Sequence, residues 1–315
     1  MREKLFQFIQ EYDIITIFHH VNADGDALGS QHALRSWILE QYPDKKVYAL
    51  GDDNSSLVHL FPKHDVVADE LIENSLALIV DTSTKERIND KRALKAKVTF
   101  RIDHHIDTEQ FTDYAIIESS LTSTCELVAT LLKEQTKKPL SKTVSRYLYY
   151  GLITDTVGYT ITSVSSETFM IAAYLLESGL NVSEINRELY AMNQNLFKFR
   201  AYLMENVIFK EKVAYIKINQ EDIRRFNITS NEAKECITIF NAIEGIYIWG
   251  LLVEDEKLPN IYNISLRAYQ VPINELAMKY GGGGHRFAVG IKGLTEEQWQ
   301  SLLTELINTS KKNGR

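Results

Sequence analysis

The chain has 315 residues, 44% apolar and 24% charged, with a net charge of −7. This length exceeds one ordinary core and predicts two domains, and the acidic total excludes a surface that attracts nucleic acid all over. Two cysteines, Cys125 and Cys236, exclude a disulfide scaffold or a zinc ribbon and fit a reducing cytoplasm. In chain order, β-rich runs are expected at Ile14–His19, Lys46–Leu50, Leu76–Val80, Lys97–Ile102 and Tyr114–Ile117. Helical patterns fall at Asp26–Gln41, Ser123–Glu134, Lys142–Thr154 and Ser166–Ser178. Strands alternating with helices predict an α/β domain with a mostly parallel sheet flanked by helices. A helical stretch from about Ser183 to Lys210 reads as a connector. Beyond it, strands at Val213–Ile218, Ile246–Val253 and Ile261–Ala268 mix with helices around Asn231–Ala242, Ile273–Tyr280 and Thr295–Ile307, which predicts a smaller α+β domain. The longest clean apolar run near a strand end, Leu76–Val80, is too short to span a bilayer. Met1–Tyr12 is charged throughout, unlike a signal peptide.

Four places put Asp or His at the end of an expected buried element. Ile14–His19 runs into His20, Asp24 and Asp26; Leu76–Val80 into Asp81; Lys97–Ile102 into Asp103, His104 and His105; and the helix Lys142–Thr154 into Asp155. Ligands of parallel sheets bind outside the carboxyl ends of the strands, so three clusters should share one crevice, with the fourth brought over it by its helix. Carboxylates and imidazoles without thiolates suit magnesium or manganese, and imidazole tilts the choice to manganese. Carboxylates this crowded need counter-charge, which two divalent ions would supply while clamping a phosphoryl group. Gly25 permits the turn that lets Asp24 and Asp26 reach different ions. Singly, each residue has a blander explanation: Asp24 as the N-cap of the following helix, Asp81 or Asp155 as turn caps. Four coincident clusters outweigh those readings. His19 reads as packed or supporting, and His32, His59 and His64 as structural or surface residues.

Charge is uneven along the chain. Residues 1–190 hold 19 Lys and Arg against 28 Asp and Glu, a balance of −9; residues 191–315 hold 16 against 14, a balance of +2. The first part suits cations and the second an anionic substrate. In the second part Gly281–Gly284 follows a helical stretch. A helix C-cap needs one glycine, so a run of four suggests a further demand, such as close approach of backbone to a phosphate. His285 and Arg267 would add side-chain donors, although Arg267 alone would read as a surface strand residue.

These motifs together resemble the DHH phosphoesterase superfamily, named for the tripeptide Asp103-His104-His105. The first motif matches at His20, Asp24 and Asp26, the second at Asp81 and the fourth at Asp155. Ser265-Leu-Arg267 and Gly281–His285 resemble the associated C-terminal domain, so the likeness covers nearly the whole chain. Without added domains it looks like the short cytoplasmic branch of nanoRNase/pAp phosphatases. The resemblance implies a catalytic metal-binding domain over 1–185, a connector over 186–210 and a substrate domain over 211–315, with the active site in the cleft between them. It implies two manganese ions, with magnesium or cobalt as substitutes: His20, Asp24 and Asp81 on one, and Asp26, Asp81, His104 and Asp155 on the other. Asp81 would bridge, and His105 would contact the scissile phosphate. Arg267, Gly282, Gly283, Gly284 and His285 would hold the rest of the substrate.

Two departures bear on substrate grip. Gly158 stands where short-branch members carry arginine, and His19 and Asn22 stand where relatives of the Gram-positive type are richer in arginine. The expected activity is hydrolysis of short oligoribonucleotides from an end, with pAp 3′-phosphatase activity as a companion. Partners are then short RNA or a small nucleotide, with no membrane and no long duplex, and a homodimer is compatible. The alternatives are a phosphodiesterase of pApA or cyclic di-AMP, an inorganic pyrophosphatase and an inactive nucleotide sensor. The Gly-Gly-Gly-His run disfavours the pyrophosphatase, and the intact ligand set disfavours the sensor.

Overall fold

The computed structural model describes residues 1–136 and 138–313, and the chain divides into two compact units, Met1–Ala191 and Met192–Arg315. In the first unit, α1 (Arg2–Glu11) leads into β1 (Ile14–Phe18), α2 (Gly25–Gln41), β2 (Lys46–Leu50) and the short α3 (Asp69–Glu73). Next come β3 (Leu76–Val80), β4 (Val98–Asp103), β5 (Tyr114–Ile117), α4 (Thr124–Gln135), α5 (Lys142–Asp155), α6 (Ser166–Leu176) and α7 (Val182–Tyr190). The five strands form one sheet in the order β2-β1-β3-β4-β5, every pair parallel. Strands covered on both faces read as unbroken apolar runs. In β3 every residue is buried: Leu76, Leu78 and Val80 join one core, while Ala77 and Ile79 join a smaller one with Phe18 and Ile72.

From β1 the chain goes outward to β2 and then crosses back to β3 on the other side of β1. The switch point therefore lies between β1 and β3, and the carboxyl ends of the adjacent strands β1, β3 and β4 open on one crevice. Helices α2 and α5 pack closely because glycines face the contact. A Cβ on Gly29 would lie 2.5 Å from the Tyr147 carbonyl oxygen, and one on Gly151 would lie 2.2 Å from Cys125 Sγ and 2.9 Å from Asp26 Oδ1.

In the second unit α8 (Gln194–Asn206) precedes β6 (Ile208–Lys210), β7 (Val213–Ile218), α9 (Gln220–Phe226) and α10 (Ser230–Glu235). The rest is β8 (Ile248–Glu254), β9 (Ile261–Ala268), α11 (Asn274–Lys279), β10 (Gly283–His285), β11 (Ala288–Thr295) and α12 (Glu296–Asn313). Its six-stranded sheet runs β10-β11-β9-β8-β7-β6, with β7–β8 the one parallel pair among the described strands. Among the described residues no helix is long and apolar enough to cross a membrane.

Several expectations need correction. The helical reading of 183–210 ends at Asn206, because Ile208–Lys210 pairs with β7 as an edge strand. The helix expected through Ala242 stops at Glu235 and continues as a 3₁₀ turn, Cys236–Phe240. The glycine run is not a single loop. Gly281, at φ 72°, closes α11, and Gly283–His285 is a strand on β11. Helices α1 and α9 and strand β11 were not expected. In α1 the signal is a short apolar stripe, since Leu5, Phe6 and Ile9 are buried among charged neighbours.

The α2–α5 contact predicts a cost for any added bulk. Gly151→Ala should destabilise the protein by about 1–3 kcal/mol, the usual penalty of overpacking, because the added methyl would collide with Cys125 and Asp26. Denaturant unfolding of the variant checks this; unchanged stability would show that the contact yields freely.

Candidate metal centre and substrate face

Asp24 ends the loop after β1. Its Oδ1 accepts from the Asp26 and Ala27 amides at 3.0 and 3.1 Å, so it caps α2 as the bland reading held. Its Oδ2 points to His20, with Nε2 at 3.8 Å, and the side chain is 56% exposed. One carboxylate thus caps a helix and faces the crevice at once. His20 Nδ1 donates to the Val21 carbonyl oxygen at 2.8 Å, which turns Nε2 toward the crevice. There Nε2 lies 3.2 Å from Asp81 Oδ2.

Asp81 takes a left-handed backbone, φ 52°, directly after β3. Asp tolerates this conformation better than most residues, and the turn swings its buried carboxylate across the strand ends. Asp26 lies in the first turn of α2 and is fully buried. The Thr124 and Cys125 amides, at the start of α4, donate to its two oxygens at 2.6 and 2.7 Å. The Thr124 hydroxyl donates to Asp81 Oδ1 at 3.0 Å. One helix start therefore orients two carboxylates.

His104 Nε2 lies 3.5 Å from Asp155 Oδ2, 3.7 Å from Asp81 Oδ1 and 3.8 Å from Asp26 Oδ2, while its Nδ1 faces the Leu121 carbonyl oxygen at 3.3 Å. His105 uses its nitrogens the other way. Its Nδ1 donates to Asp103 Oδ1 at 2.8 Å and lies 3.5 Å from Asp81, and the side chain is 40% exposed. Potential ligand atoms fall in three groups within 4.8 Å: His20-Asp24-Asp81, Asp26-His104-Asp155 and Asp81-His104-His105.

Charge in this crevice is unbalanced. Burial, then the charges of Asp81 and Asp155, push the Asp26 carboxyl well above its usual range. Burial and the Asp81 charge push Asp155 up to about 7. Burial would lower His20, but hydrogen bonds to Asp24 and Asp81 carry it up to about 10. Protons here take the place that cations would fill. The donors fit a hard divalent ion: oxygen and imidazole nitrogen, no thiolate, and no Lys or Arg ammonium or guanidinium within 4.0 Å of these carboxylates among the described residues.

The structure brings together His20, Asp24, Asp26, Asp81, His104, His105 and Asp155 in the first unit. Arg267, Gly282, Gly283, Gly284 and His285 belong to the second. There His285 pairs with Ala288, and Ala288 with Arg267, so the three share one row and one face of the sheet. Gly283 pairs with Gly290, and Gly290 with Ser265, which adds a row of small residues beside them. Toward β7 and β8 this face is covered by the core containing Phe199, Ala214 and Trp249. From β9 across β11 and β10 it carries small side chains with Arg267 and His285. Arg267 is half-buried, and its Nη1 donates to the Leu266 carbonyl oxygen at 2.9 Å. The glycines have separate causes. A Cβ on Gly282 would meet the Gly290 carbonyl oxygen at 2.6 Å, and one on Gly284 the Ala288 carbonyl oxygen at 2.4 Å. At Gly283 a Cβ would meet nothing within 4 Å, so no internal contact requires that glycine.

Sequence reasoning missed Thr124, Asp103 as the partner of His105, and Arg87 beside His20. Thr124 stands at a recognisable helix start, but its partner Asp26 is 98 residues away and nothing local shows the pairing.

Comparison with known proteins follows the same lines. Residues 14–152 match the DHH family, N-terminal domain, and residues 210–312 match the DHHA1 domain. The chain is 31% identical over 304 residues to the probable bifunctional oligoribonuclease and PAP phosphatase NrnA of Streptococcus mutans, covering 96% of this chain and 97% of that one. It is 29% identical over 309 residues to the bifunctional oligoribonuclease and PAP phosphatase NrnA of Bacillus subtilis, covering 97% of each. Among solved structures, an exopolyphosphatase-related protein from Bacteroides fragilis matches with a TM-score of 0.89 and 25% identity, over 98% of this chain and 96% of that one.

The raised Asp155 predicts a pH dependence. Its folded pKa of about 7 lies above the usual 3.8, so the folded state keeps a proton that the unfolded chain loses. Its contribution to stability is present below about pH 4 and is lost as the pH rises through 7. In metal-free protein, Asp155→Asn should therefore raise Tm relative to the parent at pH 8, and the difference should close toward pH 4. Thermal unfolding across this range checks it; a difference independent of pH would remove Asp155 from the crowded set.

Proposed function

Because this chain belongs to the DHH family, we propose that it is a manganese-dependent phosphoesterase that hydrolyses short oligoribonucleotides from an end to mononucleotides and also removes the 3′-phosphate of pAp. The observation that carries the reading is the convergence of His20, Asp24, Asp26, Asp81, His104 and Asp155 at the carboxyl ends of three adjacent strands, with Asp81 in two of the three ligand groups. His20, Asp24 and Asp81 would hold one ion, and Asp26, Asp81, His104 and Asp155 the other. Two divalent cations supply Lewis-acid stabilisation and a water that loses its proton near neutral pH.

The protein's own groups do the rest. Thr124 and the start of α4 fix Asp26 and Asp81, and the Nδ1 protons of His20 and His104 keep Nε2 toward the carboxylates. Asp103 orients His105, leaving Nε2 of a half-exposed ring to donate to a phosphate oxygen. In this reading residues 1–185 carry hydrolysis, 186–210 connect, and 211–315 grip the substrate. Arg267, His285 and the open Gly283 backbone suit a phosphate or sugar remote from the cleaved bond. The enzyme would work in the cytoplasm, away from membranes.

Activity on pApA and on pAp should require added manganese and vanish on chelation, with little phosphate released from pyrophosphate. Full turnover by protein shown metal-free by elemental analysis would refute the metal mechanism. Asp81→Ala should weaken binding of both ions, whereas Asp24→Ala and Asp26→Ala should each weaken one; equal loss of one ion in all three would deny Asp81 its shared role. Arg267→Ala and His285→Ala should lower kcat/KM for a dinucleotide and barely change hydrolysis of bis-p-nitrophenyl phosphate, which has no remote part to hold. Equal losses on both substrates would reduce the second unit to structural support.

A further inference from the structure

Arg87 ends the short turn Lys85–Arg87 that follows β3. Its backbone is tied to the loop that carries His20. The Arg87 carbonyl oxygen accepts from the Val21 amide at 2.7 Å, His20 and Ile88 form an antiparallel bridge, and the Asn89 amide donates to the His19 carbonyl oxygen at 2.9 Å. These bonds hold Arg87 beside the crevice whatever its side chain does. The guanidinium Nη2 lies 3.5 Å from His20 Nδ1. That contact satisfies neither group. Nδ1 already donates to the Val21 carbonyl oxygen at 2.8 Å, so two donors face each other at the limit of hydrogen-bond range.

Other cations nearby are engaged. Lys85 pairs with Glu109 at 3.0 Å, Arg92 with Asp90 at 2.7 Å, and the buried Arg101 with Asp107 at 2.5 Å. Arg87 is exposed and, among the described residues, pairs with no carboxylate within 4.0 Å, although Asp24 and Asp81 both approach the imidazole beside it. Once those carboxylates are committed to cations, a guanidinium at this place meets net repulsion unless an anion joins it. A planar fork of donors that remains charged at any working pH suits a phosphate oxygen pair. Nothing at Gly158 competes for that task, since the residue has no side chain and a Cβ there would meet nothing within 4 Å.

We propose that Arg87 binds the phosphate being cleaved, through its non-bridging oxygens, and so acts on every substrate that carries a scissile phosphoester whatever its remote part. The inference rests on the phosphoesterase reading and adds a substrate contact within the first unit. It sets Arg87 apart from Arg267 and His285, whose expected effect depends on the remote part of the substrate.

The test compares Arg87→Gln and Arg87→Lys with the parent under saturating manganese, on pApA and on bis-p-nitrophenyl phosphate. Manganese affinity, and the affinity of the metal-loaded protein for AMP, are measured by calorimetry. Arg87→Gln should lose about 10–100-fold in kcat/KM on both substrates and bind AMP about tenfold or more weakly, as expected for loss of a charge-assisted hydrogen bond. Manganese should bind no more weakly and Tm should stay unchanged, and Arg87→Lys should recover part of both losses. Unchanged kcat/KM and AMP affinity would overturn the proposal. So would a loss confined to pApA, which would make Arg87 a remote contact, or tighter manganese binding with AMP affinity unchanged, which would make it a counter-charge of the carboxylates. If the parent hydrolysed neither substrate, the functional reading would fall, and the AMP titration alone would decide whether Arg87 binds phosphate.

Discussion

Mutual repulsion among buried carboxylates is the constraint around which the first unit is built. Asp26, Asp81 and Asp103 are almost wholly buried, and Asp155 stands close by. Removing such groups from water costs several kcal/mol each unless partners compensate. The fold compensates locally, with amides and a hydroxyl from the start of α4 for Asp26 and Asp81, and the His105 imidazole for Asp103. The amides and the hydroxyl orient Asp26 and Asp81 without neutralising them. The remaining imbalance appears as the raised carboxyls of Asp26 and Asp155 and the charged His20. A crevice so arranged has a standing affinity for cations, and the parallel sheet places it where three strand ends converge.

Maintaining that arrangement requires the helices on one face of the sheet to approach closely. Asp26 begins α2 and Asp155 ends α5, so their separation depends on how these helices cross. Gly29 and Gly151 lie where added side chains would collide with the Tyr147 carbonyl and the Cys125 sulfur. Cys125 follows Thr124 in α4, so the helix that donates to Asp26 also limits the α2–α5 spacing. Packing and electrostatics are coupled here through the same few residues.

What could be read from the sequence follows from this coupling. Asp and His at the ends of apolar runs were legible because a buried strand announces itself over five residues, as Leu76–Val80 does, and the residue after it must lie at the sheet edge. The parallel order was legible from the alternation of strands and helices. Partners distant in the chain were not: Thr124 reaches Asp26 across 98 positions, and Arg87 reaches His20 across 67. The glycine run misled for a local reason. Chain freedom, helix capping and close packing all favour glycine, and only the backbone angles and neighbouring atoms separate Gly281, Gly282 and Gly284 from the unexplained Gly283. Strand β11 escaped notice because the alternation of buried Val289 and Ile291 breaks at Lys292 and Gly293, where the register shifts before Leu294.

Adjacent histidines illustrate how small differences in partner choice divide labour. His104 and His105 have rings 4.7 Å apart and share access to Asp81. His104 faces a backbone carbonyl with Nδ1, which turns its Nε2 toward the carboxylates of Asp26, Asp81 and Asp155. His105 faces the Asp103 carboxylate with Nδ1, which raises its pKa and favours the doubly protonated ring. A neutral imidazole is a ligand for a cation; a charged one repels cations and attracts an anion. The Nδ1 partner therefore gives the two rings of a single dipeptide different settings, a carbonyl for His104 and a carboxylate for His105. Asp103 is placed to do this because β4 extends one residue further than its apolar run, holding the carboxylate on the strand while the two histidines turn off its end.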